Sequence, residues 1–246
     1  MWTHDDLKWL AASYPNLREI KPGQIEGSLT FKMLRSGGQY LVNPADKLVM
    51  DTSTADYLYL SDTYKIRINW PEGEPYPKAR EIGGRLAETA KRLDKSLLDM
   101  HQYEQDSALC LAAAMDLERT FSSGFKLDVF VEELLIPYLF AQSHYDKTQT
   151  WLWGELSHGW LGLLEWLGRQ ESPDDRDIGA TYKYLYAQLG KEKVGKLLGQ
   201  RWRGHFKCLC GSSKKTHYCH PEVQRAISLL RNALTRGLVL TPRKGE

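Results

Sequence analysis

The stretch Tyr64–Ile82, Y-K-I-R-I-N-W-P-E-G-E-P-Y-P-K-A-R-E-I, decides how the first half of the chain is interpreted. Its first residues alternate between apolar and polar side chains, the pattern of a β-strand with one buried face. Pro71, Pro75 and Pro77 follow, and three prolines in seven residues impose an extended, non-helical path. The stretch therefore predicts a strand that leads into an extended segment.

Helices and strands are predicted on both sides of this stretch. Thr3–Ser13 is amphipathic, with Thr3 as the capping residue and Asp6 in the first turn. Ile25–Leu34 alternates like a half-buried strand, and a further short strand is expected at 58–60. Helical patterns follow at 86–100, 127–143, 158–168, 178–189 and 221–235. This order of helix, strands, extended segment and helices predicts an α+β fold.

The composition limits the class of protein. Hydrophobic residues make up 42% and charged residues 26% of the 246 residues, which excludes a fully disordered chain, a collagen and a disulfide-rich miniprotein. The start M-W-T-H-D-D lacks the pattern of a signal peptide. The longest apolar stretch without charge, Leu134–Tyr145, is too short to span a bilayer. We expect a soluble, cytoplasmic protein that does not contact a membrane.

Charge is distributed unevenly along the chain. Residues 191–246 hold thirteen Lys or Arg against three Glu, a net charge of +10, whereas the whole chain carries only +2. One interpretation is a basic surface that pairs with the protein's own acidic groups, and another is a nucleic-acid-binding module. The first is favoured, so nucleic acid is not expected among the partners.

The C-terminal stretch C-L-C-G-S-S-K-K-T-H-Y-C-H, residues 208–220, has the donor set of a metal site. Zinc takes four thiolate or imidazole ligands in a tetrahedron, and two close ligand pairs separated by a short loop can enclose the ion. Gly211 permits the backbone to fold back after the first pair. The predicted ligands of a closed, structural Zn²⁺ site are Cys208, Cys210, Cys219 and His220, with His217 as the alternative to His220.

These residues resemble the SEC-C zinc motif, which is found at the end of the bacterial secretion ATPase and is attached to many other bacterial proteins. That motif reads C-P-C-G-S-G-K-K followed by C-C or C-H. Leu209 replaces its proline and Ser213 its second glycine, whereas the ligand spacing is kept. The resemblance implies a zinc module with a basic C-terminal helix at 207–246, which binds proteins and follows a helical connector at 171–206.

Cys110 stands apart from the other cysteines, in H-Q-Y-E-Q-D-S-A-L-C-L at 101–111. Because a reducing cytosol disfavours structural disulfides, a lone cysteine is either a buried apolar residue or a nucleophile. Its position between Leu109 and Leu111 is typical of a core residue. Spacing alone leaves both interpretations open.

The wider context of Cys110 resembles the ubiquitin-conjugating-enzyme fold, from about Met1 to Gly168. The shared features are an N-terminal helix, a strand meander, a Y-P segment and a histidine shortly before L-C-L. The stretches E-I-G-G-R, S-A-L-C-L and G-E-L-S-H-G-W-L-G are similar to the prokaryotic branch of the family. That branch occurs in antiphage systems such as CBASS, beside a cGAS-like nucleotidyltransferase. The resemblance implies a catalytic domain at 1–170.

The resemblance also implies a transferase activity and its site. Cys110 would carry an acyl group as a thioester and pass it to an amine. His101 matches the histidine of the family's His-Pro-Asn element and would orient the loop or stabilise an oxyanion. Asp106 would attract or deprotonate the incoming amine, and Tyr103 stands where the family has asparagine.

The implied partners are the nucleotidyltransferase, as the protein acted upon, and a separate activating or loading protein. The alternative is a catalytically inert adaptor of the same fold, which would bind partner proteins through its body and its zinc module.

Overall fold

The computed structural model describes residues 2–36, 39–44, 57–152, 156–200 and 205–238. Helix α1 (His4–Ser13) precedes an antiparallel sheet of β1 (Leu17–Lys21), β2 (Gln24–Ser36), β3 (Gln39–Val42), β4 (Tyr57–Asn69) and β5 (Lys78–Glu81). The helices that follow are α2 (Arg85–Arg92), α3 (Ala114–Thr120), α4 (Leu127–Val129), a π-helical segment (Phe130–Leu135), α5 (Ile136–Thr148), α6 (Trp160–Arg169), α7 (Asp175–Gly199), α8 (Thr216–Cys219) and α9 (Pro221–Thr235). The predicted α+β class is confirmed.

The chain forms two compact units. Unit 1 comprises Met1–Ala112 and Glu118–Trp153, and unit 2 comprises Ala113–Leu117 and Gly154–Glu246. The predicted boundaries at 170 and 206 both fall inside unit 2, because α6, α7 and α9 share one hydrophobic core. In unit 2 the expected connector and the expected zinc module are therefore parts of one body.

The sheet of unit 1 has the strand order β1-β2-β4-β5, with β3 paired to the far end of β2. Strands β2 and β4 pair along their whole length, from Gln24 opposite Asn69 to Ser36 opposite Tyr57. The predicted division of β4 into two short strands is therefore wrong. Ser61, Asp62 and Thr63 read like a turn, but each pairs with a β2 residue and continues the strand.

Local sequence signals set the helix limits. Thr3 and Asp6 form the expected capping box of α1, in which each side chain accepts a hydrogen bond from the other residue's backbone N–H. Helix α2 ends at Arg92 rather than near residue 100, and Asp94 adopts a positive φ of 53° shortly after it. Helix α7 extends beyond the predicted 178–189, with a break in helical geometry at Gly190.

Helix α4, the π-helical segment and α5 are continuous, and Pro137 explains the change of helix type. Proline has no N–H to donate, and its ring crowds the preceding turn. The Ile136 N–H accordingly donates to the Val131 carbonyl five residues back, as in a π-bulge. Within the described residues, no helix is both long enough and apolar enough to cross a membrane.

In unit 2, α6 and α9 pack closely because Gly168 has no side chain. A Cβ at residue 168 would lie 2.1 Å from the Glu222 carbonyl oxygen. Arg225 on α9 donates to the Gly168 and Glu171 carbonyl oxygens, both at 2.8 Å, and so satisfies the end of α6. The register between the two helices is therefore fixed by both shape and hydrogen bonds.

Candidate functional site

Cys110 lies at the end of a short hairpin formed by residues 101–110. Gln102 and Leu109 form an antiparallel bridge, and the Cys110 N–H donates to the His101 carbonyl at 2.8 Å. Leu109 is 5% exposed, whereas Cys110 is half-buried. Cys110 is therefore not enclosed in the core, although it stands between two leucines in the sequence.

The hairpin is anchored from two elements of unit 1. The Met100 carbonyl accepts hydrogen bonds from the Tyr138 hydroxyl and the Gln142 amide of α5, both at 2.8 Å. On the other side, the Leu109 N–H donates to the Ala79 carbonyl of β5 at 2.8 Å. These contacts restrict the backbone immediately before and after the hairpin turn, so Cys110 has a defined position.

Tyr103 is a neighbour of Cys110. In the sequence it was notable only because it stands where the resembled family has asparagine. Because Gln102 pairs with Leu109, strand alternation puts Tyr103 and Cys110 on the opposite face of the hairpin. Burial and the neighbouring Cys110 thiol raise the pKa of Tyr103. The hydroxyl stays protonated at neutral pH and is available as a hydrogen-bond donor beside the thiol.

His101 contributes to this region through its backbone and its ring. It adopts a positive φ of 52°, which is uncommon for a residue with a side chain. Its ring packs edge-on against Trp151 at a centroid distance of 4.8 Å, and Trp151 in turn stacks on Tyr145. The structure thus shows His101 supporting the hairpin, and its expected catalytic part stays a prediction.

Asp106 lies in the hairpin turn and faces β5. Its carboxylate accepts from the Ala108 N–H at 3.0 Å and pairs with Lys78 at 3.3 Å and Arg80 at 3.2 Å. Burial opposes ionisation, but the Ala108 N–H and the two cations outweigh it and lower the pKa of Asp106. The carboxylate holds the turn against β5, and its expected contact with an amine stays a prediction.

The C-terminal cluster is assembled by a second hairpin. Lys207 and Lys215 form an antiparallel bridge, and the Cys208 N–H donates to the Lys214 carbonyl at 2.9 Å. Gly211 has a φ of 83° and donates its N–H to the Cys208 carbonyl, so the predicted fold-back at this glycine is confirmed. Helix α8 then brings the last two donors to the hairpin. The ligand atoms of Cys208, Cys210, Cys219 and His220 lie within 4.8 Å of one another.

The cluster has the dimensions of a metal site. Bond lengths of a tetrahedral zinc site put two sulfur ligands about 3.7 Å apart. The Cys210 and Cys219 sulfurs are 3.6 Å apart, and Cys208 Sγ lies 3.0 Å from His220 Nδ1. The same geometry requires about 3.5 Å for a sulfur and a nitrogen ligand, so a bound ion would move His220 back slightly. The ring of His217 packs against Tyr218 instead, with centroids 3.8 Å apart.

The two cysteines of the first pair differ in acidity. The hydroxyl and the backbone N–H of Ser212 lower the pKa of the Cys210 thiol to about 6. Burial raises the pKa of Cys208 to about 12. Cys210 therefore loses its proton more readily than Cys208, and thiolate is the form that binds a metal.

Glu165 on α6 is a site residue that the sequence pattern did not predict. It is 1% exposed, and its Oε1 lies 2.9 Å from Nε2 of His220. A sequence signal does exist, because Glu165 is the one acidic residue in the otherwise apolar run L-G-L-L-E-W-L-G. Ser157 donates its backbone N–H and its hydroxyl to the same carboxylate.

Arginines of the basic C-terminal segment bind groups of unit 2. Besides the contacts of Arg225, the Arg231 guanidinium donates to the Leu198 carbonyl at 2.6 Å, and Arg236 pairs with Asp175 at 2.8 Å. Arg231 and Arg236 therefore hold the two ends of α7. Of these three arginines, Arg236 pairs with an acidic group, whereas Arg225 and Arg231 bind backbone carbonyls, so the interpretation of the basic segment stays a prediction.

No protein-family model, curated protein or solved structure matches this chain. The chemistry of the two sites therefore has to be inferred from their own residues.

Proposed function

We propose that the protein is a bacterial ubiquitin-conjugating-like enzyme that carries an acyl group as a thioester on Cys110 and transfers it to an amine. The observation that carries this proposal is the half-buried Cys110 at the end of an anchored hairpin, with Tyr103 on the same face. The order of elements in unit 1 supports the corresponding fold: α1, an antiparallel sheet, the Cys110 hairpin and then helices.

The residues around Cys110 suit transthiolation. The Cys110 thiolate attacks the carbonyl carbon of a thioester on a loading protein, and the loading protein's sulfur leaves as a thiolate. In the second step an amine attacks the new thioester, Cys110 leaves as a thiolate, and the amine loses a proton to water or to a nearby base.

Tyr103 is suited to stabilise the charge that develops in these steps. When the carbonyl carbon is attacked, its oxygen becomes an oxyanion, and a hydrogen-bond donor beside it lowers the barrier. The Tyr103 hydroxyl lies beside Cys110 and stays protonated, which supports assigning it this role in place of the family's asparagine. His101 and Asp106 would assist by holding the hairpin that carries both residues.

The second site is assigned to structural Zn²⁺. Three thiolates and one imidazole are the ligands that zinc prefers, and four protein ligands leave no open position for a substrate. The acceptor that we propose is a cGAS-like nucleotidyltransferase, acting in cytoplasmic antiphage defence. A separate loading protein would supply the thioester.

The test is to purify the protein from cells that also express its neighbouring genes, and to measure its intact mass with and without added thiol. We expect an adduct on the wild-type protein that thiol removes and that Cys110→Ala lacks. Tyr14→Phe is the control, because it alters a hydroxyl of unit 1 that binds Glu132 and Asn43 and should keep the adduct. If the wild-type protein carries no adduct while it and Cys110→Ala co-purify equally with the nucleotidyltransferase, the protein is an adaptor.

A further inference from the structure

Glu165 is a buried carboxylate whose hydrogen-bond partners include a residue of the C-terminal cluster. Burial of a carboxylate is costly unless hydrogen bonds or opposite charges compensate it. Its Oε2 accepts from the Ser157 N–H at 2.6 Å, and its Oε1 accepts from the Ser157 hydroxyl at 2.5 Å and from Nε2 of His220 at 2.9 Å. Unit 2 thus keeps a charged side chain in its core and directs it at His220.

The loop that carries Ser157 is itself fixed against α6. A Cβ at Gly162 would lie 1.9 Å from the Ser157 carbonyl oxygen, so this approach is open only to glycine. The two donors of Ser157 are therefore held at the carboxylate by the backbone, and Glu165 has little freedom to turn away from His220.

The contact with Glu165 determines which ring nitrogen His220 offers to a metal. In the neutral ring that binds a metal, donation of the Nε2 hydrogen to the carboxylate leaves the lone pair on Nδ1, which is the atom 3.0 Å from Cys208 Sγ. Histidine ligands in metal sites commonly donate their second N–H to a carboxylate, which fixes the ring and makes the ligating nitrogen more basic. Ser157 and His220 do not form a hydrolase triad with Glu165, because serine and carboxylate both lie at Nε2.

We propose that Glu165 is the positioning residue of the metal centre, and that through it metal binding stabilises the helical core of unit 2 and not only the local hairpin. This inference rests on the metal site proposed above. Glu165 lies in the middle of α6, and α6 packs in the core with α7 and α9. The carboxylate thus connects the ligand His220 to a helix that is distant from it in the sequence.

The experiment measures the metal affinity of the full-length protein by competition with a chromophoric chelator, using Zn²⁺ alone. Glu165→Gln keeps the shape but puts an amide in place of an acceptor that receives several donors, and we expect it to weaken Zn²⁺ binding about 10- to 100-fold. The matched control is Asp116→Asn, which alters a carboxylate of unit 2 that accepts from the Trp166 indole at 2.9 Å and is not a member of the cluster. We expect its Zn²⁺ affinity to remain that of the wild type.

Two further readouts separate positioning from general support of the fold. With Co²⁺ in place of Zn²⁺, Glu165→Gln should change the visible absorption bands of the site, and Asp116→Asn should not. Removing the metal should lower the melting temperature of the wild type, and this difference should shrink in Glu165→Gln. If Glu165→Gln does not fold, Ser157→Ala replaces it, with an expected loss of roughly 2- to 10-fold in Zn²⁺ affinity.

The outcomes separate this inference from the proposed metal site. If the wild type binds no stoichiometric Zn²⁺, the site itself is wrong and the inference is lost with it. If the wild type binds one Zn²⁺ and the folded Glu165→Gln protein retains its affinity and Co²⁺ spectrum, the site stands and the role of Glu165 is refuted.

Discussion

The anchor of the Cys110 hairpin leads to a quantitative prediction. Tyr138→Phe removes one of two hydrogen bonds to the Met100 carbonyl and a longer one, at 3.4 Å, to the His101 carbonyl, whereas the Gln142 amide still satisfies the Met100 oxygen. We therefore expect Tyr138→Phe to lower the stability of the hairpin by about 1 kcal/mol, the usual net value of one hydrogen bond. In the double variant Tyr138→Phe/Gln142→Leu the carbonyl loses both donors, which adds about 1–3 kcal/mol for a buried acceptor without a partner.

Gln142→Leu alone should lower the stability of the hairpin by less than Tyr138→Phe alone. Among the described residues, Gln142 Oε1 is buried without a hydrogen-bond partner, and the substitution removes this unsatisfied oxygen together with the donor. The two single losses should therefore sum to less than the loss in the double variant, because only the double variant leaves the carbonyl unsatisfied.

Amide hydrogen exchange of Cys110 is the assay, because its N–H is bonded to the His101 carbonyl within the hairpin. When exchange proceeds by local opening, 1 kcal/mol corresponds to a rate change of about fivefold and 3 kcal/mol to more than 100-fold. The control is Tyr14→Phe, which deletes a hydroxyl that binds Glu132 and Asn43 elsewhere in unit 1. The prediction is wrong if Tyr14→Phe accelerates exchange of the Cys110 amide as much as Tyr138→Phe does. It is also wrong if the free-energy loss in the double variant does not exceed the sum of the losses in the two single variants.

Three other predictions concern packing, pH and metal. Gly168→Ala should destabilise unit 2 by about 1–3 kcal/mol in urea unfolding, because its Cβ would overlap the Glu222 carbonyl, and an unchanged midpoint would contradict the packing of α6 on α9. Burial opposes ionisation of Asp62, but hydrogen bonds from Arg85 and Ser143 outweigh it, so the pKa of Asp62 is lowered. The ionised Asp62 therefore stabilises the folded protein above about pH 4, and this stabilisation is lost as the pH falls further. Asp62→Asn should accordingly make unfolding less dependent on pH in this acid range than in the wild type. Elemental analysis should find one Zn²⁺ per chain, and Cys219→Ser should lower that value if the cluster is the site.

Much of the local structure was predictable because single residues determine it. Thr3 and Asp6 specify the start of α1, and Gly211 permits the turn between the first cysteine pair and the rest of the cluster. The spacing of the cysteines also predicted that they assemble with a histidine, whereas the choice of His220 over His217 required the structure. Each of these features depends on a few neighbouring side chains, so it can be inferred without knowing the remainder of the fold.

Features that depend on tertiary partners were not predictable from the residues themselves. The turn-like Ser61-Asp62-Thr63 continues β4 because β2 pairs with it throughout, and because Asp62 finds Arg85 and Ser143 as partners. Glu165 resembles an ordinary helix residue until the fold brings His220 to it, 55 positions later in the sequence. The position of Tyr103 on the same hairpin face as Cys110 likewise depends on the hairpin register, which the sequence did not determine.

Cys110→Ser determines whether Cys110 forms the thioester that we propose. A serine at this position can form only an oxygen ester, which resists the thiol and neutral hydroxylamine treatments that cleave a thioester. The wild-type protein and the serine variant would be purified from cells with the neighbouring genes, treated with hydroxylamine, digested and analysed by mass spectrometry. The account predicts an adduct on the peptide that contains residue 110, lost from the wild type and retained by the serine variant. A modification elsewhere, or none in either protein, would contradict it.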